Sequence, residues 1–389
     1  MYQINQRLLP EEDGLLSGTP SPENLLRLGA ALASAAPQLL IGAEPDAPFS
    51  DAAAGILAGA SAAAGASVTL VKQSTLPELS AASAAADIPL MVHIAEHRLR
   101  VFSKGMLPLT EPQQSCLLHQ PSPQWLAPSL YGEIKNGNGL TSLYPSRIRK
   151  RLPDRLTVLP EIATGSAPLH RLMTRLLRGG KGQLLTMQLS SDGRRLALYH
   201  TDCGWIFHER LLLLVCQQLF SKGEDAALPY WVPHAAEDMA SRCGRRILRY
   251  ASCSDGTDAE ARALALHQGF TLDGTILCAE ILRMLSEHGM SLKEWLSRLP
   301  DCHTVRRIVR LPTDAADGTG ESPLQTWQTI SHAIDTAEGY FTEESRGRAL
   351  VRPSRSGRTV TLLTEAASME AAAELAGDIT ALLERPSRF

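Results

Sequence analysis

The chain has 389 residues, a net charge of −3 and 20% charged side chains. That length suffices for about two to four domains, and so slight a charge gives no basis for a polyelectrolyte partner such as nucleic acid. No apolar run reaches the roughly 18 residues of a membrane span, MYQINQRLLPEEDG carries no basic-then-apolar leader, and seven cysteines without a CxxC pair read as reduced thiols, so a cytoplasmic protein without membrane partners is expected.

Ser21 can cap a helix over Glu23–Ala35, with Pro22 in the first turn and Glu23 at its positive end. Leu39–Gly42 predicts a buried strand, Ala52–Gly65 an alanine-rich helix, Ser67–Val71 the next strand and Asp87–His93 another. This alternation predicts a parallel sheet of the α/β class. His93-Ile-Ala-Glu-His97 spells HxxEH. On a helix, His93 and His97 would share a face as zinc ligands, with Glu96 as general base. The flanking Val92, Ile94, Val101 and Phe102 favour strand and loop, and no third ligand stands out downstream. Residues 111–145, rich in Pro, Gln, Ser, Gly and Asn, read as a connector, and the basic run Arg147–Arg155 as a solvated helix end.

Leu156–Leu159 reads as a strand, and Gly165-Ser166 as a cap or an anion site before a helix His170–Leu177. After a linker Gly179–Gly182 come a strand Leu184–Leu189, a tight loop Ser190–Arg195, a strand Leu196–Tyr199, a turn at Asp202-Cys-Gly204 and a buried helix that includes Leu211–Val215. A loop leaving a strand end is where α/β proteins place ligands. Next come a helix to Arg242, a strand Ile247–Tyr250, a helix Ile276–Glu287 with Cys278 and Met284 as core residues, and the segment Ser291–Leu299. Thr313–Pro323 reads as a linker, followed by a helix Leu324–Ala337, a hairpin and a last helix Met369–Leu383. Within the hairpin, Arg352–Arg358 gathers guanidiniums and hydroxyls suited to phosphate, or forms a basic turn.

In this order the segments resemble the α-D-phosphohexomutases, the family of phosphoglucomutase, phosphomannomutase and phosphoglucosamine mutase. SPENLLRLG at Ser21–Gly29 resembles the TPE start of that family's first helix, with only a weak remnant of FGTDGxRG before it. Arg98–Phe102 resembles the GIKFF strand that follows the active-site loop TASHNP, Thr271–Thr275 resembles the GDG turn, and Val351–Arg358 resembles VRPSGTEP. SSDGRR at 190–195 resembles the metal loop DGDGDR, with Ser190, Asp192 and Arg194 at the three carboxylate positions and Arg195 at the arginine.

The resemblance implies three α/β mixed-sheet domains plus a C-terminal α+β domain around a central cleft. Their expected bounds are 1–145, a shortened 146–200, 201–312 and 313–389. It implies losses as well. The loop near 92–98 has no Ser or Thr to become the family's phosphoserine, one metal carboxylate of three remains as Asp192, and Ser252–Asp258 stands in place of the sugar-selecting GExSG loop. The expectation is a degenerate member without mutase activity. It would have no cofactor, although the family uses Mg²⁺, and it would bind a phosphosugar, phosphate or a protein partner such as an active mutase. One alternative is a phosphosugar-handling enzyme with a rebuilt site, with His93 or His97 as nucleophile or base, and another is a scaffold that pairs with an active mutase and has no ligand of its own. The positions carried over are Arg352, Ser354, Arg355 and Ser356 for phosphate, with Arg100, Arg195 and Asp273 elsewhere in the cleft.

Overall fold

The computed structural model describes residues 9–10, 14–18, 20–45, 48–95, 98–119, 123–177, 182–251, 254–287, 290–310, 347–353 and 359–384. The chain divides into two compact units, Met1–Tyr230 with Ala240–Ser297, and Trp231–Met239 with Arg298–Phe389. The residues expected as three α/β domains thus fall very largely in one unit.

The first unit opens with a short antiparallel pair, β1 (Leu9–Pro10) and β2 (Leu16–Ser17). Helix α1 (Pro22–Ala35) starts where Ser21 Oγ accepts the Asn24 N–H. Then follow β3 (Gln38–Ala43), α2 (Pro48–Ala63), β4 (Ser67–Val71), α3 (Leu76–Ala85), β5 (Leu90–Ala95) and β6 (Arg98–Ser103). Residues 111–145 hold more than a connector: α4 (Glu111–His119), β7 (Ile134–Asn136) and the start of α5 (Leu143–Arg149). The sheet order is β6-β5-β3-β4-β7, parallel except for β6. Leu39 and Ile41 pack with Leu28, Leu32 and Leu57, whereas Leu40 packs with Leu79, Met91 and Phe102. Both sheet faces are covered, which is why β3 reads as an unbroken apolar run.

The second sheet contains β8 (Leu159–Thr164), β9 (Leu184–Leu189), β10 (Leu196–His200) and β11 (Gly204–Ile206), in the order β11-β10-β9-β8. Helix α6 (Ala167–Leu176) joins β8 to β9, which are parallel, and α7 (His208–Ser221) follows β11. A boundary at residue 200 would cut this sheet, because Tyr199 pairs with Trp205 across β10 and β11. Parallel β12 (Ala226–Pro229) and β13 (Ile247–Tyr250) come next, with α8 (Ala235–Arg242) between them in sequence. Helices α9 (Ala259–Gln268), α10 (Gly274–Glu287) and α11 (Leu292–Ser297) complete the unit. Cys278 and Met284 of α10 are fully buried.

The second unit is an antiparallel sheet, β14-β16-β15, of β14 (His303–Arg310), β15 (Arg348–Pro353) and β16 (Thr359–Ala366). Leu375, Ile379 and Leu383 of α12 (Met369–Glu384) cover one face against Val309, Val360 and Leu362. A start at residue 313 is therefore too late, since β14 lies before it and pairs with β16 along its whole length. The expected linker Thr313–Pro323 and helix Leu324–Ala337 lie outside the described residues.

Candidate functional site

A cavity of about 90 Å³ opens in the first unit where the carboxyl ends of strands from two sheets meet. From the first sheet come Glu44 after β3, Thr75 after β4, His93 and Ala95 of β5, and Arg98 and Arg100 of β6. From the second come Gly165-Ser166 after β8 and Ser191-Asp192 after β9. Loops at such strand ends are the usual ligand position in α/β folds. The backbone there is fixed by caps. Thr75 and Glu78 form a capping box at α3, and Ser166 Oγ accepts the Leu169 N–H at α6 while donating to Glu44 at 3.4 Å.

The loop 190–195 is closed on itself. Ser190 N–H donates to the Arg195 carbonyl at 3.0 Å and Gly193 N–H to the Ser190 carbonyl at 2.9 Å. Gly193 has φ +73°, and a Cβ there would lie 2.6 Å from Pro77 Cγ. At Gly274 a Cβ would lie 2.9 Å from the Gly193 carbonyl oxygen, so the loop is pressed between α3 and α10. Only glycine fits such an approach without strain.

Asp192 is fully engaged. Its Oδ1 accepts from Ser190 Oγ at 2.6 Å and from Arg194 N–H at 3.2 Å, and its Oδ2 lies 3.3 Å from Arg100 Nη2. Burial pulls its pKa upward, but Arg194, Ser190 and Arg100 together hold it below the ordinary carboxylate range. Arg194 lies with its guanidinium carbon 4.9 Å from the centre of the Phe102 ring. Mg²⁺ takes hard oxygen ligands, usually carboxylates. Here the one carboxylate of the loop already faces two guanidiniums, so the residues present do not fit the ion. Among the described residues no three His, Cys, Asp or Glu side chains are grouped to hold a metal.

His93 sits on strand β5, so the helical HxxEH geometry does not arise; His97 and Glu96 lie outside the described residues. His93 is buried and its Nε2–H donates to the Ser74 carbonyl at 3.0 Å, which fixes the tautomer. Burial pushes its pKa down to about 4, leaving a neutral, weakly basic imidazole.

The structure brings His93, Arg100 and Asp192 together and places other expected residues elsewhere. Asp273 is buried away from the cavity and acts as a cap for α10. Its Oδ1 accepts from Thr275 and Ile276 N–H, and Tyr144 Oη donates to Oδ2 at 2.8 Å. Burial pushes its pKa up. The GDG turn therefore serves helix α10 rather than the cavity. Arg195 is exposed, and its backbone N–H donates to Ser190 Oγ at 3.0 Å. Arg352 lies one residue before the end of β15, opposite Thr361, while Ser354, Arg355 and Ser356 lie outside the described residues. Ser166, expected as a cap or anion position, lies in the cavity as the cap of α6, whereas sequence reasoning missed Glu44 and Arg98 as cavity residues. Glu44 directly follows β3 and Arg98 begins β6, which is the signal the sequence carries for them.

No protein-family model matches the chain. A curated relative named a probable phosphoglucosamine mutase, from Methanopyrus kandleri, is 29% identical over 113 residues, which cover 29% of this chain and 25% of the relative. The chain thus matches about a quarter of that protein's length. Among solved structures, a phosphoglucomutase/phosphomannomutase family protein from Burkholderia thailandensis superimposes with a TM-score of 0.67 at 14% identity, covering 98% of this chain and 99% of that one. The phosphoglucomutase pp63/parafusin from Paramecium, in an open form, gives 0.60 at 10% identity, covering 97% and 96%. The chain has the α-D-phosphohexomutase fold.

Proposed function

We propose that this chain, built on the phosphohexomutase fold, is a non-catalytic member that holds a phosphosugar, or its phosphate group, in the first-unit cavity. The observation that carries this is the state of Asp192: the one carboxylate of the loop is committed to Arg100 and Arg194 beside a cavity that keeps Arg98 and Arg100. Phosphoryl transfer needs an activated nucleophile and cationic stabilisation of the transferring group, usually by a bound metal. The strands β5 and β6 and their turn carry no hydroxyl until Ser103, whose Oγ faces Gln113 in the core, and the loop offers no open carboxylate.

Anion recognition has what it needs. Arg98 is exposed at the cavity and Arg100 lines it, so both guanidiniums can meet a phosphate, with the start of α6 close by. Glu44 on the other strand end can accept sugar hydroxyls. The reading rests on the first-unit cavity and not on Arg352, Ser354, Arg355 and Ser356, which belong to the second unit. The burial of His93, its bond to Ser74 and its low pKa weigh against a rebuilt enzyme using that imidazole as base. The test is incubation with a hexose 1,6-bisphosphate labelled in its phosphates. The reading expects no label bound to the protein after denaturation, and stoichiometric label would overturn it.

A further inference from the structure

We infer that the β7 edge of the first sheet is a self-association surface, and that its partner is a second copy of this chain pairing antiparallel across a two-fold axis centred on Ile134. Strand β7 ends the sheet order β6-β5-β3-β4-β7, and among the described residues no strand pairs with its outer side. Its bonds to β4 fix which groups point outward. The Glu133 carbonyl accepts the Val68 N–H and the Gly137 N–H donates to the Leu70 carbonyl, so the odd-numbered residues bond inward. By the alternation of a strand, the Ile134 N–H and carbonyl point away from the sheet.

Such an edge is a template for another strand, and natural proteins generally cover or charge it. The charges here have a particular arrangement. Glu133, Ile134 and Lys135 are all exposed, and Glu133 and Lys135 flank Ile134 with opposite signs, 3.1 Å apart in the single chain. In a two-fold antiparallel pair centred on Ile134, the two Ile134 residues exchange both backbone hydrogen bonds. Glu133 of each copy then lies directly opposite Lys135 of the other, in the closely spaced position where cross-strand side chains interact most strongly. An edge that complements its own image requires this pattern, because an isologous contact brings each residue against its symmetry mate.

The approach to the strand supplies the apolar area. Trp125 is 45% exposed, Leu130 62%, Tyr131 49% and Ile134 49%. These exposed apolar side chains lie on the segment that leads into β7 or on β7 itself and add apolar surface to the charge complementarity of the edge.

The test is sedimentation equilibrium of the full chain over a concentration series, with the variants Glu133→Lys and Lys135→Glu alone and mixed. The wild type is expected to associate to a dimer. Either variant places like charges opposite each other twice per dimer and should raise the dissociation constant about tenfold. An equimolar mixture of the two variants should recover wild-type affinity, because both charges at this edge are then positive on one copy and negative on the other, so every cross-strand pair is again of opposite sign. Recovery also shows that both variants fold. Ile134→Pro, which removes an outward N–H and spares the bonds to β4, should weaken the dimer as well. A wild type that stays monomeric throughout overturns the inference. So does a dimer that neither charge variant weakens, or a mixture that fails to recover.

Discussion

Asp192→Ala removes the group on which the loop 190–195 is organised. The substitution deletes hydrogen bonds from Ser190 Oγ and Arg194 N–H and a contact at 3.3 Å to Arg100, and it leaves two guanidiniums without their shared counter-charge. Hydrogen bonds to a charged acceptor contribute about 1.5–3 kcal/mol each, and a part-exposed ion pair contributes under about 1 kcal/mol. Asp192 keeps 22% of its side-chain surface exposed, so solvent reduces these figures, and a loss of about 2–3 kcal/mol at neutral pH follows. The sign of the pH dependence is fixed by the lowered pKa. Stability from a carboxyl group whose folded pKa is depressed is present above its unfolded pKa of about 3.9 and is lost as pH falls through the lower folded value. Urea midpoints of wild type and variant should therefore differ by a constant amount above about pH 5 and converge at lower pH. Mg²⁺ should leave both midpoints unchanged. A midpoint that Mg²⁺ raises in the wild type and not in Asp192→Ala would refute the reasoning, because a ligand that binds the folded state stabilises it.

Two other outcomes follow from the buried groups. His93 and His208 are held neutral, with pKa values pushed down to about 4 and about 3 by burial, and the His208 Nδ1 accepts the Leu196 N–H. Each should contribute a fall of up to about 1.4 kcal/mol per pH unit as pH drops below the unfolded value of about 6.5, measured as unfolding midpoints, and His208→Gln should remove its share of that slope. Gly193→Ala should cost about 1–3 kcal/mol, since φ is +73° and the new Cβ would lie 2.6 Å from Pro77; a variant as stable as the wild type would show that the loop is not pressed against α3.

Where local chemistry determines structure, the sequence was readable. Ser21 capping α1, the apolar run of β3 and the Asp-Gly loop after β9 each carry their cause within a few residues. Strand β7 was not readable because all three of its residues are exposed, so it shows no alternation of buried and exposed positions. Helix α4 reads as a polar linker because Glu111–His119 includes Pro and two Gln, yet both glutamines are buried. The orientation of Arg194 depends on Phe102, a residue on a different sheet, and no local pattern encodes it. Asp273 shows the opposite failure. A short turn motif was assigned to the cavity, whereas its carboxylate is needed to cap α10 and to meet Tyr144, far upstream in the chain. Two domain bounds were misplaced for a related reason: strand pairing, which local composition does not report, carries β11 and β14 across them.

The proposed role of the cavity is to bind a phosphosugar without a metal. Calorimetric titration of the full chain with glucose 1-phosphate, glucose 6-phosphate, mannose 6-phosphate and glucosamine 6-phosphate, with and without Mg²⁺, tests it most directly, using Arg98→Ala as the comparison. Saturable binding of at least one of these is expected, the same with and without Mg²⁺ and weakened about tenfold or more in Arg98→Ala. Absence of binding by every sugar phosphate, or binding that requires Mg²⁺, would contradict it.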